Sequence, residues 1–245
     1  MYMKIENKKR CTAIVLSAGQ GKRMGTDVQK QYIELEGKPV IYYTLKAFQE
    51  SEIIDDVIMV VGSGDIEYAY AEIVNKYGFT KVSAVVEGGK ERYDSVWQGL
   101  QVIASRREKY NSEEYVFIHD GARMFVDDDI LQRGYETVEA YKACVAGVPS
   151  KDTIKLVDDD TFTVNTPQRK YVWAVQTPQI FDAALIIEAY SRLMEVEHAN
   201  VTDDAMVVEQ MMNTPVKLFE ASYENIKLTT PEDLEIAKMF LKKRK

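Results

Sequence analysis

The sequence predicts an α/β fold, a three-layer sandwich in which helices cover both faces of a mostly parallel β-sheet. Two observations predict this fold class. Short apolar runs, of the kind found in strands buried on both faces, alternate with helical patterns along the chain. The chain has 245 residues, of which 46% are hydrophobic and 29% charged, so it can bury a substantial core.

Six apolar runs predict the strands of this sheet. Most of them are continuously apolar rather than alternating, which indicates strands that helices cover on both faces. The predicted strands are Cys11–Ser17, Asp56–Val61, Lys81–Val86, Tyr115–His119, Cys144–Val148 and Val216–Glu220.

Helices are predicted between these runs, where apolar residues recur at i, i+4 and i+7. Two such triplets are Ile41, Leu45 and Phe48, and Val96, Leu100 and Ile103. A threonine N-cap followed by acidic residues predicts two further helix starts, at Thr202 and at Thr230. Together the strands and helices predict a Rossmann-like sandwich.

Segment 150–172 interrupts this alternation. It contains two strand-like pieces joined by the Asp-rich turn Asp158–Asp160, which predicts a β-hairpin arm that protrudes from the sandwich. An isolated hairpin is marginally stable in water, so we expect the arm to pack on a second subunit and the protein to be a homodimer. No linker or repeat divides the chain, so residues 1–245 are interpreted as a single domain with this arm.

The charge of the chain is acidic overall but unevenly distributed. The net charge is −8, yet residues 1–30 contain seven basic and two acidic side chains, a local balance of +5. An acidic surface repels a phosphate backbone and anionic lipid, so we expect neither nucleic acid nor a membrane as a partner. The basic start of the chain is the exception that needs an explanation.

The cysteines, the apolar runs and the histidines indicate where the protein is located and which kinds of site it lacks. Cys11 and Cys144 lie in apolar runs and are expected to be buried reduced thiols, which fits a cytoplasmic protein. No apolar run approaches the about 18 residues that a membrane span needs, and the first residues do not resemble a secretion signal. Two histidines, with no CxxC or HExxH motif, argue against a zinc site.

A glycine-rich loop, SAGQGKRMG, follows the first predicted strand at residues 17–25. Backbone N–H groups of such a loop can approach phosphates, and Lys22, Arg23 and then Lys30 supply positive charge. The loop matches neither the dinucleotide fingerprint, because Met24 stands where a glycine is required, nor the Walker motif. A plain strand-to-helix turn with solvated lysines is the alternative to a phosphate cradle.

Eight further motifs make the pattern specific. They are Gln29–Tyr32, Gly37–Val40, Gly88–Val96, His119–Arg123, Lys151–Lys155, Gln176–Gln179, Thr202–Ala205 and Glu224–Lys227. In order and spacing, the loop and these motifs resemble the 2-C-methyl-D-erythritol 4-phosphate cytidylyltransferase family of the non-mevalonate isoprenoid pathway. The resemblance extends from about residue 11 to the C-terminus.

The resemblance implies that a phosphate monoester attacks the α-phosphorus of CTP and expels pyrophosphate. Because a phosphate monoester has its second pKa near ~6, the nucleophile is already ionised and needs no strong general base. Catalysis then depends on holding two anions in line and neutralising their charge. Arginine, lysine, backbone N–H groups and a divalent cation, usually Mg²⁺, serve this purpose.

The resemblance also assigns residues to the nucleotide. Arg23 and Lys30 would stabilise the pentavalent transition state. The nucleotide-binding residues would be Ala18, Gly19, Gly21, Lys22, Gly89, Ser95 and Asp120, with Gly89 and Ser95 at the cytosine. Two structural alternatives stay open: Lys22 could face solvent, and Ser95 could be only a polar residue near a helix start.

The acceptor would bind to Asp120, Arg123, Thr153, Arg169, Thr177 and Lys227. Arg169 would reach the neighbouring subunit's site from the arm and, with Lys227, would position the attacking phosphate, which gives both a catalytic role. Asp120 could contact a ribose hydroxyl, a polyol hydroxyl or the metal, or simply pair with Arg123. Arg169 could instead be an exposed arm residue, and Lys227 a charge at a strand end.

Three other side chains are expected to be structural. His119 is interpreted as a buried histidine rather than a base, and Asp203 and Asp204 as residues of a helix's first turn rather than metal ligands.

Two other functions compete with the main hypothesis. One is a ribitol-5-phosphate cytidylyltransferase, which Lys155 and the pair Gly121–Ala122 disfavour. The other is a nucleotide-binding module without turnover, which Arg23 and Lys30 disfavour.

Overall fold

A computed structural model describes residues 8–19, 29–110, 113–196 and 201–244. The strands are β1 (Arg10–Ser17), β2 (Glu34–Leu35), β3 (Lys38–Pro39), β4 (Asp56–Val61), β5 (Val82–Glu87), β6 (Glu114–Asp120), β7 (Ala143–Pro149), β8 (Leu156–Val157), β9 (Thr163–Asn165), β10 (Trp173–Asp182) and β11 (Lys217–Glu220). The α-helices are α1 (Val40–Glu50), α2 (Ile66–Tyr68), α3 (Arg92–Tyr110), α4 (Asp128–Tyr141), α5 (Ala183–Met194), α6 (Asp204–Met212) and α7 (Pro231–Lys243).

Seven strands form the central sheet, in the order β11-β7-β10-β6-β1-β4-β5. Neighbours pair in parallel except at β10, which runs antiparallel to both β6 and β7. The prediction of a mostly parallel sheet is therefore confirmed, as are all six predicted strands to within about a residue at either end.

Strand β10 is the strand that the sequence analysis missed. Its middle contains Gln176, Thr177, Pro178 and Gln179, so it lacks the continuous apolar run by which the other buried strands were identified. Three of these side chains are buried and polar, and they are accommodated because each is hydrogen-bonded: Gln176 to the loop after β11, Thr177 to β6 and Gln179 to the start of α6.

Helices pack on both faces of the sheet and complete the three-layer sandwich. On one face, Ala13 and Val15 of β1 share a core cluster with α1 and α4. On the other face, Ile14 shares a cluster with α3, α5 and α6. The two predicted helical triplets in α1 and α3 are buried, at most 1% exposed. Both helices thus present the expected apolar stripe to the sheet.

Two helix starts were predicted from threonine caps. At α7 the prediction is confirmed, because Thr230 and Asp233 form a reciprocal capping box. At α6 the N-cap is Asp203 rather than Thr202, so the prediction was wrong by one residue. The Asp203 carboxylate accepts a hydrogen bond from the backbone N–H of Met206, whereas the Thr202 hydroxyl lies against the sulfur of that methionine.

The arm is a hairpin, as predicted. Strands β8 and β9 pair antiparallel, and the Asp158 carboxylate closes the turn by accepting from the backbone N–H groups of Asp160 and Phe162. Its apolar side chains face outward: Phe162 is 72% exposed and Tyr171 is 73% exposed. Within the described residues of this subunit, little therefore covers the arm.

Two smaller expectations are also tested by the fold. Cys11 and Cys144 are both buried and unpaired, as expected. Among the helices that the structure describes, none has the length and apolar character needed to cross a membrane.

Candidate active site

A pocket opens where the carboxyl ends of β1, β5 and β6 meet, which is where open α/β sheets bind ligands. The strand register brings these ends side by side, with Asp120 opposite Leu16 and Val61 opposite both Ser17 and Glu87. Seven predicted site residues line the pocket: Ala18, Gly19, Lys30, Gly89, Ser95, Asp120 and Lys227. Gly21, Lys22 and Arg23 lie outside the described residues.

Lys30 occupies a 3₁₀ turn, Lys30–Tyr32, at the rim of this pocket. The neighbouring Gln31 is buried, and its amide donates to the carbonyl oxygen of Ser17 and to the side-chain oxygen of Gln29. Gln29 in turn donates to the carboxylate of Asp65 at 2.8 Å. The turn that carries Lys30 is thus tied to the end of β1, a role that sequence reasoning did not assign to the two glutamines.

The segment between β5 and α3 forms the opposite wall, and Ser95 holds it in place. The Ser95 hydroxyl accepts from the backbone N–H of Gly89 at 3.1 Å and donates to the carbonyl oxygen of Glu91. A Cβ atom on Gly88 would lie 2.6 Å from the Ser95 oxygen, so only glycine fits there. Ser95 therefore organises the loop, while its predicted contact with cytosine stays a prediction.

Asp120 ends β6 at the floor of the pocket and is surrounded by cations. Its carboxylate lies 2.8 Å from Lys227 Nζ, 3.5 Å from Arg92 Nε and 4.0 Å from Arg123 Nε. Burial alone would raise the pKa of Asp120, but the charges of Arg92, Lys227 and Arg123 outweigh burial and hold that pKa well below its usual range. Arg92 also pairs with Asp204, so three cations face two carboxylates, and the floor keeps a surplus of one positive charge, which suits an anionic ligand.

His119 and Thr177 form a neutral framework behind Asp120. His119 Nε2 lies 3.0 Å from the carbonyl oxygen of Arg123, which can only accept, so Nε2 carries the proton. Nδ1 then accepts from the Thr177 hydroxyl, whose oxygen accepts from the backbone N–H of Asp120. Burial lowers the pKa of His119 to about 4, so the ring is neutral at pH 7. His119 is structural, as expected, and the hydroxyl proton of Thr177 is committed to it.

The segment that carries Lys227 is anchored by Asn225, a second residue to which sequence reasoning gave no role. Asn225 is fully buried, and its amide donates to Gln176 Oε1 and to the Thr177 carbonyl oxygen. Its own carbonyl oxygen accepts from the Arg123 guanidinium at 2.8 Å. The sequence signal was present in the Glu224–Lys227 motif, but the partners lie about 50 residues away along the chain.

Not all the predicted residues lie together in this chain. Thr153 and Arg169 lie on the exposed arm, and neither is among the described residues that line the pocket. The Arg169 guanidinium donates a hydrogen bond to the carbonyl oxygen of Lys151 at 3.3 Å. Asp203 caps α6, and Asp204 pairs with Arg92, so both carboxylates serve the helix and its neighbours.

The chain is similar to known proteins over nearly its whole length. Residues 11–243 match the family model described as 2-C-methyl-D-erythritol 4-phosphate cytidylyltransferase. A relative of that name from Lachnospira eligens is 53% identical over 232 residues, which cover 94% of this chain and 99% of the relative. Another, from Lachnoclostridium phytofermentans, is 47% identical over 96% of this chain and 97% of its own length.

Solved structures give the same result. The crystal structure of 4-diphosphocytidyl-2C-methyl-D-erythritol synthase from Anaerococcus prevotii has a TM-score of 0.82 at 34% identity, covering 96% of this chain and 97% of that one. The 2-C-methyl-D-erythritol 4-phosphate cytidylyltransferase of Francisella tularensis has a TM-score of 0.75 at 29% identity, over 94% of this chain and 99% of its own. The predicted fold class is thereby confirmed a second time.

Proposed function

Since the chain belongs to the 2-C-methyl-D-erythritol 4-phosphate cytidylyltransferase family, a family of nucleotidyltransferases, we propose that its pocket joins methylerythritol phosphate to CTP. The products are 4-diphosphocytidyl-2-C-methyl-D-erythritol and pyrophosphate. The observation that carries the proposal is the group of Arg92, Arg123 and Lys227 around Asp120, in a pocket that Lys30 also lines. Two phosphate-bearing substrates need such a surplus of positive charge.

The reaction needs little from the protein beyond position and charge. An oxygen of the acceptor's phosphate forms a bond to the α-phosphorus of CTP, while the bond from that phosphorus to the bridging oxygen breaks and pyrophosphate leaves. Arg23 and Lys30 stabilise the charge on the transferring group, and Lys227 holds the attacking phosphate near it. The neutral His119, buried behind Asp120, takes no part in proton transfer.

The nucleotide binds along the first strand and the loop after β5. Ala18 and Gly19 line the pocket directly after β1, where backbone N–H groups can face the triphosphate, and Gly21 and Lys22 continue that loop. The cytosine lies against Gly89 and the loop that Ser95 holds. Asp120, at the floor, is left for a hydroxyl of the ribose or of the acceptor, with Arg123 and Thr177 supporting it.

A divalent cation, usually Mg²⁺, accompanies CTP in this proposal. The acidic side chains among the described lining residues are Glu91 and Asp120, and Asp120 is already engaged by three cations. Mg²⁺ needs few protein ligands when phosphates and waters complete its coordination shell. The residues of the pocket therefore fit an ion that is held mainly by the triphosphate, and Asp120 would be its protein ligand. Its contribution would be to neutralise phosphate charge.

The arm completes the site in a homodimer. Thr153 and Arg169 lie on the arm and are not among the described residues that line their own subunit's pocket, and the arm's exposed Phe162 and Tyr171 need a covering surface. We infer that these residues reach the pocket of a second subunit, where Arg169 meets the acceptor's phosphate. A cytoplasmic location fits the two buried, unpaired cysteines.

A steady-state assay with two acceptors tests the substrate. Pyrophosphate release is measured with CTP and Mg²⁺, using either methylerythritol phosphate or ribitol 5-phosphate. We expect kcat/KM to be far higher for methylerythritol phosphate. A preference for ribitol 5-phosphate would change the acceptor, whereas background release with both would favour a nucleotide-binding module without turnover.

A further inference from the structure

Arg92, at the first position of α3, connects the pocket floor to a buried carboxylate on another helix. Its two terminal nitrogens donate to the two oxygens of Asp204 at 2.9 and 2.8 Å, the bidentate geometry that fixes the plane of a guanidinium. The remaining nitrogen, Nε, then faces Asp120 at 3.5 Å. One arginine thus faces two carboxylates from different parts of the chain.

Asp204 is a rigid anchor for this arginine. The residue is 0% exposed, and Tyr190 donates its hydroxyl proton to the same carboxylate at 2.6 Å. The backbone N–H groups of Asp204 and Ala205 both donate to Gln179 Oε1 on β10. Because α5, α6 and β10 all hold Asp204, the arginine that it binds is held as well.

The other two cations near Asp120 are either mobile or more distant. Lys227 is a flexible side chain, 36% exposed, and Arg123 is held by the Asn225 carbonyl oxygen but lies farther away, at 4.0 Å. Under the proposed function, Lys227 also turns to the acceptor's phosphate. Arg92 is then the contact that keeps the Asp120 carboxylate in one orientation while substrates enter and leave.

We propose that Arg92 is a positioning residue of this site, which orients the Asp120 carboxylate by linking it to the buried Asp204. This proposal rests on the proposed function, since it assigns Asp120 to the substrates. Because Arg92 acts through Asp120, substituting Arg92 should not lower kcat/KM further in a variant that already lacks the Asp120 carboxylate.

The same helix offers a matched control. Arg106 is 29% exposed, as Arg92 is, and it pairs with Asp56, which is also nearly buried. Asp56 is the first residue of β4, so this ion pair lies at the opposite end of the strand from the pocket. Lysine at either position keeps the charge beside the buried aspartate, and both variants are expected to fold with a similar loss of stability.

The experiment compares R92K, R106K, D120N and the double variant R92K/D120N, using CTP, Mg²⁺ and methylerythritol phosphate. We expect R92K to lower kcat/KM by about 10-fold to 100-fold and R106K to stay near the wild-type value, because a lysine cannot span both carboxylates. In the D120N background, R92K should have almost no further effect. Equal losses in R92K and R106K, or an undiminished effect of R92K on top of D120N, would overturn the proposal.

A spectroscopic measurement keeps the proposal testable without turnover. The carboxyl carbon of Asp120 is observed by NMR at a constant pH of about 7 in each enzyme. We expect its signal to shift or broaden in R92K, where the carboxylate loses its fixed neighbour, and to stay unchanged in R106K. If wild-type enzyme transfers nothing while this difference is present, the proposed function fails and the positioning role stands; an unchanged Asp120 signal in R92K overturns the positioning role.

Discussion

His119 shows at the scale of a single residue why the site contains a histidine without using one as a base. Its ring nitrogens are both occupied, one by the Arg123 carbonyl oxygen and one by the Thr177 hydroxyl. Protonating Nδ1 would place a second donor against that hydroxyl inside a fully buried space. The ring therefore supports the backbone that presents Asp120, and it does so only when neutral.

This neutrality predicts a pH dependence of stability. The unfolded chain takes up a proton on this histidine near pH 6.5, whereas the folded protein resists until about pH 4. The contribution of His119 is therefore complete above pH 6.5 and is lost as the pH falls towards 4, a change of ~3 kcal/mol in the free energy of unfolding. His119→Gln should remove this part of the slope, which urea unfolding from pH 4 to 7.5 would measure.

Parallel stability curves for the wild-type protein and His119→Gln would show that His119 is not held neutral in the folded state.

The site residues that carry charge could be predicted from the sequence, and those that hold them could not. Lys30, Asp120 and Lys227, which the motifs singled out, line one pocket. The roles of Arg92 and Asn225 are visible only in the folded structure, because their hydrogen-bond partners are 112 and about 50 residues away in sequence. Such contacts leave no local pattern to read.

At the scale of elements, the arm could be predicted from the sequence and strand β10 could not. The other buried strands have continuous apolar runs, whereas β10 has polar residues at its centre that bind the surrounding loops. Periodicity therefore found the sheet and missed its antiparallel strand. The arm was identified because its Asp-rich turn is a local signal, which the Asp158 hydrogen bonds explain.

The arm predicts that the two subunits of a dimer can complement each other. Arg169→Ala and Lys30→Ala should each depress turnover strongly while leaving the fold stable, because neither side chain is buried in the core. If Arg169 acts on the partner's pocket, a mixed dimer contains one intact site. Unfolding and refolding the two variants together in equal amounts should restore about a quarter of wild-type activity, assuming random pairing.

Refolding each variant alone under the same conditions is the control. A mixture that stays as inactive as its components, or an active enzyme that light scattering shows to be a monomer, would place Arg169 outside the partner's site.

At the scale of the whole molecule, the acidic chain contains a cationic pocket. The net charge of −8 disfavours a polymer of phosphates as a partner but gives no information about a mononucleotide. Parallel strands bring their carboxyl ends to one edge, and there the sheet collects Lys30, Arg92, Arg123 and Lys227 from distant parts of the chain. Topology thus concentrates positive charge that composition averages away.

The most direct test of this account is to follow all phosphorus atoms in one reaction by ³¹P NMR, with CTP, methylerythritol phosphate and Mg²⁺. The account predicts that the monoester signal falls while the signals of a diphosphate diester and of pyrophosphate rise together in equal amounts. The Lys30→Ala variant should form both products far more slowly, although its melting temperature equals that of the wild-type protein. Hydrolysis of CTP without consumption of the acceptor, or no change in either substrate, would contradict it.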